Sequence, residues 1–480
     1  MTQNAGGNTN TLPLCVDMDG SLIRTDSLWE ACLKLLRKSP LSMLQMPIWL
    51  LRGKASFKQK VCRQVQLDAA ILPYSEDFLT FLRQEKARGR HLCLVTAADE
   101  HIVAPISEFL ALFDAVLCSD GQTNLAGSNK ASTLVEQYGE KGFVYAGNAE
   151  VDLKVWKHAA AAITVNASAR LQHQAANLLP IEADFSGSEI SRLQAMQKAL
   201  RPHQWAKNFL LFVPVLLAHS LQATAWLNVL LAFVAFSLTA SSIYIINDLL
   251  DLEADRQHPD KRNRPFASAA LSIPAGLAML PILLGIALLV AWQVNSAFFI
   301  LLLGYVVLTT AYSLTLKMRA LVDVLTLTLL YTVRIVGGGF AANVELSYWL
   351  LAFSIFFFFS LALAKRYSEL HNLAQKGDLS AGTRGYVVSD LPVVILFGVS
   401  AGYIAILVMI LYIHDLQIGH LYNHPMWLWG VGISLLYWVS RVWLLAHRGS
   451  LHEDPVLFAL HDRISYVVAL CTGLTIWLAL

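Results

Sequence analysis

Apolar residues are distributed unevenly along the chain. From Pro202 onward they gather into nine runs, centred near residues 213, 237, 282, 305, 331, 357, 402, 435 and 471. About twenty apolar residues cross a bilayer as a helix, so each run is a candidate span. The run near 213 is the shortest and is flanked by Lys207 and His219. Before residue 200 the pattern is different. Short apolar runs end abruptly in polar residues: Leu12–Val16 before Asp17 and Asp19, His91–Val95 before Thr96, and Phe143–Ala146 before Gly147. Helical stretches separate them, which predicts a mostly parallel α/β sheet with side chains delivered to the carboxyl ends of its strands.

These patterns divide the chain into a disordered start (1–11), an α/β domain (12–180), a junction (181–200) and an all-α polytopic membrane domain of nine spans (201–480). In the junction Ile190, Leu193, Met196 and Leu200 fall near helical spacing, as in a helix lying on a membrane surface; a plain linker fits equally well.

Composition sharpens the division. Of 480 residues 56% are hydrophobic and only 15% charged, with a mean hydropathy of +0.51. Ordinary soluble domains carry about 25% charged residues. Residues 1–198 hold 20 basic and 20 acidic side chains, whereas 199–480 hold 16 and 14. A net charge of +2 gives no reason to expect a nucleic-acid partner. Five of the six cysteines lie in the first half, without metal-ligand spacing, and read as reduced thiols of a cytosolic domain.

Basic residues also orient the membrane half. The connections near 248–270, 315–320, 365–390 and 446–463 contain many Lys and Arg, among them Arg256, Lys261, Arg264, Lys317, Lys365, Arg366 and Arg384. The alternate connections, near 218–225, 292–297, 341–347 and 414–426, contain none. The expectation is a multi-pass protein of the cell membrane, with a cytoplasmic N-terminal domain and its C-terminus on the opposite side. Acidic residues gather on the same face, as suits an enzyme drawing one substrate from water and one from lipid.

The second run ends in Asn247-Asp-Leu-Leu-Asp251-Leu-Glu-Ala-Asp255-Arg256. On a helix Asn247, Asp251 and Asp255 share one face at i, i+4 and i+8, a row of hard oxygen donors suited to Mg²⁺ and a diphosphate. A solvated helix end would show the same spacing. The basic residues that follow (Arg256, Lys261, Arg264) favour a phosphate site. Within the fifth run Arg334 is an arginine at membrane depth, costly and by default functional, although structural pairing with a neighbouring helix is the alternative. Asp323 lies eleven residues before it, about three turns, so the two are expected to share a face.

The pattern NDxxDxxxD followed by RxHPxKxxRP resembles the first aspartate-rich motif of the UbiA superfamily of intramembrane prenyltransferases. The resemblance covers 199–480 and implies a nine-helix fold with a Mg²⁺-bound diphosphate site, its metal held by Asn247, Asp251 and Asp255. Four further stretches carry Lys207 and Asn208, Lys317 and Asp323, Lys365, Arg366 and Glu369, and Asp454 to Arg463. Together they look more like the polyprenyl-phosphate phosphoribosyltransferases than the aromatic prenyltransferases, which carry a second aspartate-rich motif where this chain has KRYSEL. The implied partners are the bilayer, a polyprenyl phosphate, and phosphoribosyl diphosphate or another diphosphate. Lys207, Asn208, Arg256, Lys261, Arg264, Lys317, Asp323, Arg334, Lys365 and Arg366 are the candidate substrate-binding residues. An aromatic prenyltransferase, and a non-catalytic lipid-binding or transport protein, are the alternatives. No oligomeric state is implied.

In the first half, DxDGSL, a threonine after a hydrophobic strand, Lys130 and a last acidic loop resemble the haloacid-dehalogenase superfamily. The resemblance implies Asp17 as nucleophile, Asp19 as acid/base, Thr96 and Lys130 as phosphoryl ligands, Asp152 as a Mg²⁺ ligand, and a helical cap within 27–72. Asn148 stands where that family often has aspartate. This leaves both an active phosphatase and a degenerate binding or docking module as readings.

Overall fold

Six parallel strands form the sheet of the N-terminal half: β1 (Leu14–Val16), β2 (Leu92–Asp99), β3 (Ala115–Ser119), β4 (Val144–Gly147), β5 (Ala161–Val165) and β6 (Ile181–Phe185), in the order β3-β2-β1-β4-β5-β6. The computed structural model describes residues 11–39, 42, 45–51, 53–120, 124–186, 191–375, 382–413, 422–451 and 455–480. The disordered start expected at 1–11 lies outside them except for Thr11, and the junction lies outside them at 187–190. So does the expected site-flanking residue Asp454.

Alternation along the strands splits the core in two. Leu14, Val16, Leu92, Leu94, Val144 and Ala146 pack on one face of the sheet. Cys15, Cys93, Val95, Phe143, Tyr145 and Trp156 pack on the other. Strands buried on both faces are typical of parallel sheets. β1 sits between β2 and β4, with Cys15 level with Cys93 on one side and Tyr145 on the other. The strand order reverses here, and the carboxyl ends of β1, β2 and β4 open on one crevice. The first helix, α1 (Ser27–Lys38), is capped by Asp26, whose carboxylate accepts from the backbone N–H groups of Leu28 and Trp29. Helices Met46–Leu51 and Lys54–Cys62 and a short turn at Ala69–Ile71 complete the insert after β1.

The chain forms two compact units: Met1–Ala199 with Ile245–Leu280, and Leu200–Tyr244 with Pro281–Leu480. The aspartate-rich stretch therefore belongs with the N-terminal sheet, although the helix that delivers it, Ala223–Leu250, begins in the second unit.

Seven helices among the described residues are long and apolar enough to cross a membrane: Ala223–Leu250, Ile273–Val294, Ser296–Leu314, Val322–Ala342, Tyr348–Gln375, Val388–Tyr412 and Pro425–His447. An eighth arises if Pro455–His461 and Arg463–Ala479 are taken as one span bent by 87°. The expected count of nine is corrected at its first member. Around residue 213 the chain forms an 11-residue 3₁₀ stretch, Pro202–Phe212, and a 5-residue helix, Val213–Leu217, too short for a crossing. Pro202 opens the first segment, and Pro214 stands in the first turn of the second, where it cannot donate a backbone hydrogen bond to the preceding stretch. Asn208 is fully buried and engaged with Ser237 and Arg334, so this segment is committed to polar contacts. The bend in the last span also has a physical cause. Asp462 caps Arg463–Ala479 by accepting from Ser465 N–H at 2.7 Å, and its two oxygens take Arg441 Nη1 and Nη2 at 2.7 and 2.9 Å.

Candidate functional site

β1 ends one residue before Asp17, so the nucleophile candidate stands at the mouth of the crevice. Lys130, on Ser128–Tyr138, donates to Asp17 Oδ1 at 2.7 Å and to Tyr145 OH at 3.1 Å. Tyr145 in turn donates to Asp152 Oδ1 at 2.9 Å. The other oxygen of Asp152 accepts the backbone N–H groups of Asn148 and Ala149, both at 2.9 Å. Asp152, expected as a metal ligand, is thus occupied in holding its own loop and Tyr145. Asn148 lies against the Gly20-Ser21 turn that follows Asp19: Ser21 Oγ donates to its Oδ1 at 3.5 Å, and a β-carbon at Gly20 would meet its Nδ2 at 2.0 Å. Gly20 also has φ of +80°, so both space and conformation demand glycine there. Thr96, fully buried in β2, accepts from Ala98 N–H at 3.1 Å.

Asp19 is held by α1, accepting from Ser27 N–H at 2.9 Å and Ser27 Oγ–H at 3.2 Å. Burial pushes its carboxyl from 3.8 up to about 7, with the Asp26 charge adding to the effect. Burial likewise pushes Asp17 up to about 6, opposed by Lys130 and reinforced by Asp152. Hard oxygen donors that resist ionisation in isolation are a set suited to a hard divalent cation.

Because the native state holds the Asp19 proton more tightly than the unfolded chain, this group's contribution to stability falls as pH rises from about 4 to about 7. Asp19→Asn removes that penalty. In EDTA at pH 8 the N-terminal unit is expected to gain about 4 kcal/mol, and at pH 4 almost nothing. Thermal unfolding at the two pH values checks this, and an equal effect at both contradicts it.

The aspartate-rich stretch departs slightly from the expected single helix. Asp251 sits at a break between Ala223–Leu250 and Leu252–Gln257, with φ of −96° and ψ of 16°. Backbone bonds still run from Asp251 N–H to Asn247 O and from Asp255 N–H to Asp251 O, at 2.9 and 2.8 Å. The one-turn spacing therefore survives. Arg264 Nη1 donates to Asp255 Oδ2 at 2.6 Å and to Asp248 Oδ1 at 3.2 Å. Asp248, only 2% exposed, was not singled out by the spacing argument, since it lies off the Asn247–Asp251–Asp255 face. Arg256 does not face a phosphate site in this conformation; its guanidinium forms a two-pronged pair with Glu30. Lys261 lies in the turn between them, its N–H bonded to His258 O. Among the described residues, no three His, Cys, Asp or Glu side chains converge closely enough to hold a metal ion. The donor chemistry of Asn247, Asp251 and Asp255 suits Mg²⁺; of these, Asp255 is paired with Arg264.

The second unit contains two separate buried polar networks. In the first, Asp323, fully buried near the start of Val322–Ala342, accepts from Tyr312 OH at 2.7 Å and from Arg366 Nε at 2.5 Å. Arg366 also donates to Glu369, and Arg384 Nη1 donates to Tyr312 OH at 2.7 Å, 3.6 Å from Asp323. Arg384 had counted only toward orientation; it sits at φ of 55° in a two-stranded hairpin, Gly382–Thr383 and Tyr386–Val387. The hairpin is pressed on the segment carrying Lys317. A β-carbon at Gly385 would lie 2.7 Å from Met318 O, and Tyr386 OH accepts from Leu321 N–H at 2.8 Å. Lys365 precedes Arg366 in Tyr348–Gln375.

In the second network Arg334 donates to Asn208 Oδ1 at 2.8 Å, to Tyr305 OH at 2.9 Å and to Leu330 O. Its guanidinium lies 5.1 Å from the Tyr305 ring, and Lys207 Nζ 5.8 Å from that of Tyr331. Asp323 and Arg334, expected on one face, have different partners.

Known proteins fit both halves. The UbiA prenyltransferase family model matches residues 209–463, and that of haloacid dehalogenase-like hydrolases matches 14–157. The uncharacterised protein y4nM of Sinorhizobium fredii is 35% identical over 460 residues, covering 95% of this chain and 89% of that protein. Nodulation protein NoeC of Azorhizobium caulinodans is 38% identical over 280 residues, 57% of this chain and 89% of that one. Decaprenyl-phosphate phosphoribosyltransferase of Mycobacterium tuberculosis is 36% identical over 187 residues, 38% of this chain and 61% of that enzyme. The chain belongs to the UbiA prenyltransferase family of membrane transferases, fused to a haloacid-dehalogenase-like N-terminal domain and related to decaprenyl-phosphate phosphoribosyltransferase.

Proposed function

We propose that the membrane domain transfers 5-phosphoribose from phosphoribosyl diphosphate to a polyprenyl phosphate on the cytoplasmic face. The observation that carries this reading is the Asp323–Arg366–Arg384 network, with Lys317 and Lys365 on neighbouring stretches of chain. A second aspartate cluster would bind a metal; this stretch offers cations and the lone Glu369, which suit an anionic acceptor. The similarity to decaprenyl-phosphate phosphoribosyltransferase supports the same substrate class.

The donor's diphosphate leaves the anomeric carbon, and a lipid phosphate oxygen forms the new C–O bond there. The acceptor is already an anion at neutral pH, so no strong general base is required. Asn247, Asp251 and Asp255 would hold Mg²⁺, which supplies Lewis-acid stabilisation of the leaving diphosphate. Binding there requires Arg264 to release Asp255 or to turn toward the diphosphate itself. Lys261 is assigned to the diphosphate beside these residues, and Lys207, Asn208 and Arg334 to substrate binding within the second unit.

In the N-terminal domain we assign Asp17 as the nucleophile that takes a phosphoryl group, with Asp19 giving its proton to the leaving oxygen and Lys130 and Thr96 holding the phosphoryl oxygens. Asp17, Asp19 and Asn148 would supply oxygen donors for a Mg²⁺ ion, which would offset the charge of the phosphoryl group. Its substrate would be the 5-phosphate of the lipid product. An Asp17→Asn protein given phosphoribosyl diphosphate and polyprenyl phosphate is expected to accumulate lipid-linked phosphoribose, where the parent protein yields lipid-linked ribose and inorganic phosphate. Dephosphorylated lipid from the Asp17→Asn protein refutes this role for the domain.

A further inference from the structure

One face of α1 meets the aspartate-rich stretch. Glu30, Lys34 and Arg37 stand at i, i+4 and i+7, hence on a single side of the helix. Arg256 Nη2 and Nη1 donate to the two oxygens of Glu30 at 2.6 and 3.2 Å, with both side chains nearly fully buried. Lys34 Nζ donates to Glu253 at 2.6 Å, and Arg37 Nη1 to Leu250 O at 3.4 Å. The geometry on each side is fixed independently. Thr25 Oγ1 donates to Glu30 Oε1 at 2.8 Å, and Arg256 Nε donates to Ala267 O at 3.1 Å, tying Leu252–Gln257 to the turn that follows. Each of the three guanidinium nitrogens of Arg256 therefore has a structural partner, directly beside Asp255 in sequence.

We propose that Glu30 is a positioning residue for the donor site: through Arg256 it holds the stretch carrying Asp251 and Asp255 in register, so the N-terminal domain is part of the diphosphate-binding apparatus. A bidentate arginine–carboxylate pair fixes orientation as well as distance, and burial removes the competition from water that makes surface pairs weak. The first residue of α1, Ser27, one turn before Glu30, holds Asp19, so one helix touches both candidate sites. Nothing in the local sequence around Glu30 signals this, because its partner is 226 residues away.

This inference rests on the proposed diphosphate site, and the test separates the two. Binding of inorganic diphosphate in the presence of Mg²⁺ is measured by calorimetry on the full-length protein in detergent. The proteins compared are the parent, Glu30→Gln, Glu30→Arg, and the exchange Glu30→Arg/Arg256→Glu, with polyprenyl phosphate binding as the control. Glu30→Arg is expected to weaken diphosphate binding at least tenfold and Glu30→Gln about fivefold, with the lipid phosphate changed less than twofold. The exchanged pair is expected to recover to within about threefold of the parent. A parent that binds no diphosphate overturns the proposed site itself. A parent that binds, with Glu30→Gln and Glu30→Arg unchanged, overturns only the positioning role. Should the exchanged protein not fold, Glu30→Gln decides, since it keeps the shape and an acceptor for Thr25 while removing the charge and one of the two acceptors that receive Arg256. Arg256 acting directly as a phosphate ligand predicts a different outcome: loss in the exchanged protein without recovery.

Discussion

An Asp251→Ala protein is expected to lose phosphoribosyl transfer by on the order of a thousandfold, the scale at which removing one well-placed electrostatic group from an active site is felt. The position is what makes the effect large. Asp248 and Asp255 are both tied to Arg264, whereas Asp251 lies between Asn247 and Asp255, one turn from each, at the break where Ala223–Leu250 gives way to Leu252–Gln257. Removing its carboxylate leaves the remaining donors two turns apart. The fold is expected to survive, because the backbone bonds from Asn247 to Asp251 to Asp255 do not involve the side chain. Transfer measured against Mg²⁺ concentration checks this. A protein that only binds or carries lipid would show no dependence on Asp251 or on Mg²⁺, and an Asp251→Ala protein with undiminished transfer contradicts the assignment.

Asp323→Ala is expected to be the most destabilising single change in the second unit. Asp323 and Arg366 have fully buried side chains, and removing one member of such a pair leaves a buried charge without its counterpart, at a cost of about 3–5 kcal/mol. Glu369 remains beside Arg366, but it is partly exposed and does not replace the contacts to Nε and Tyr312. Thermal unfolding in detergent is expected to show a marked loss. The companion experiment distinguishes stability from chemistry. Replacing the pair together, Asp323→Leu with Arg366→Met, removes both charges and is expected to bring stability back to within about 1 kcal/mol of the parent. Transfer should nevertheless stay at least a hundredfold down, since one of the cations proposed to receive the anionic acceptor is gone. Recovery of both stability and transfer would make the network purely structural.

Much of the architecture was legible from local pattern. Asp17 and Asp19 stand at the end of an apolar run because a parallel strand delivers its next residues to the crevice, and β4 ends at Gly147 by the same rule, whereas β2 runs past Thr96 to Asp99. β3, β5 and β6 were not anticipated. β5 is Ala-Ala-Ile-Thr-Val, whose alanines favour helix as readily as strand, and its identity as a strand comes from pairing with β4 and β6. The error near residue 213 has a similar origin. Hydropathy counts apolar side chains, but two prolines and a buried Asn208 decide the backbone there.

The site residues divide along the same line. Their types and spacing mark Asn247, Asp251 and Asp255, and the resemblance to known families marks Asp17, Asp19 and Lys130. Pairing across long separations does not show in a sequence. Arg256 and Arg264 look like phosphate ligands beside an aspartate cluster, yet the first is paired with Glu30 and the second with Asp248 and Asp255. Arg384 reads as one more cytoplasmic charge until the hairpin brings it to Tyr312. The contacts of Asp152 with Tyr145 and with the N–H groups of its own loop likewise come from the fold and not from local sequence.

The most direct test of the central claim is transfer of label from phosphoribosyl diphosphate, carrying ¹⁴C in the ribose, to polyprenyl phosphate in membranes containing the full-length protein and Mg²⁺. The expected result is ¹⁴C in the organic-solvent extract, absent when EDTA is added and absent with the Asp251→Ala protein. No label in lipid, with a prenylated aromatic acid formed instead when polyprenyl diphosphate and 4-hydroxybenzoate are supplied, would contradict it.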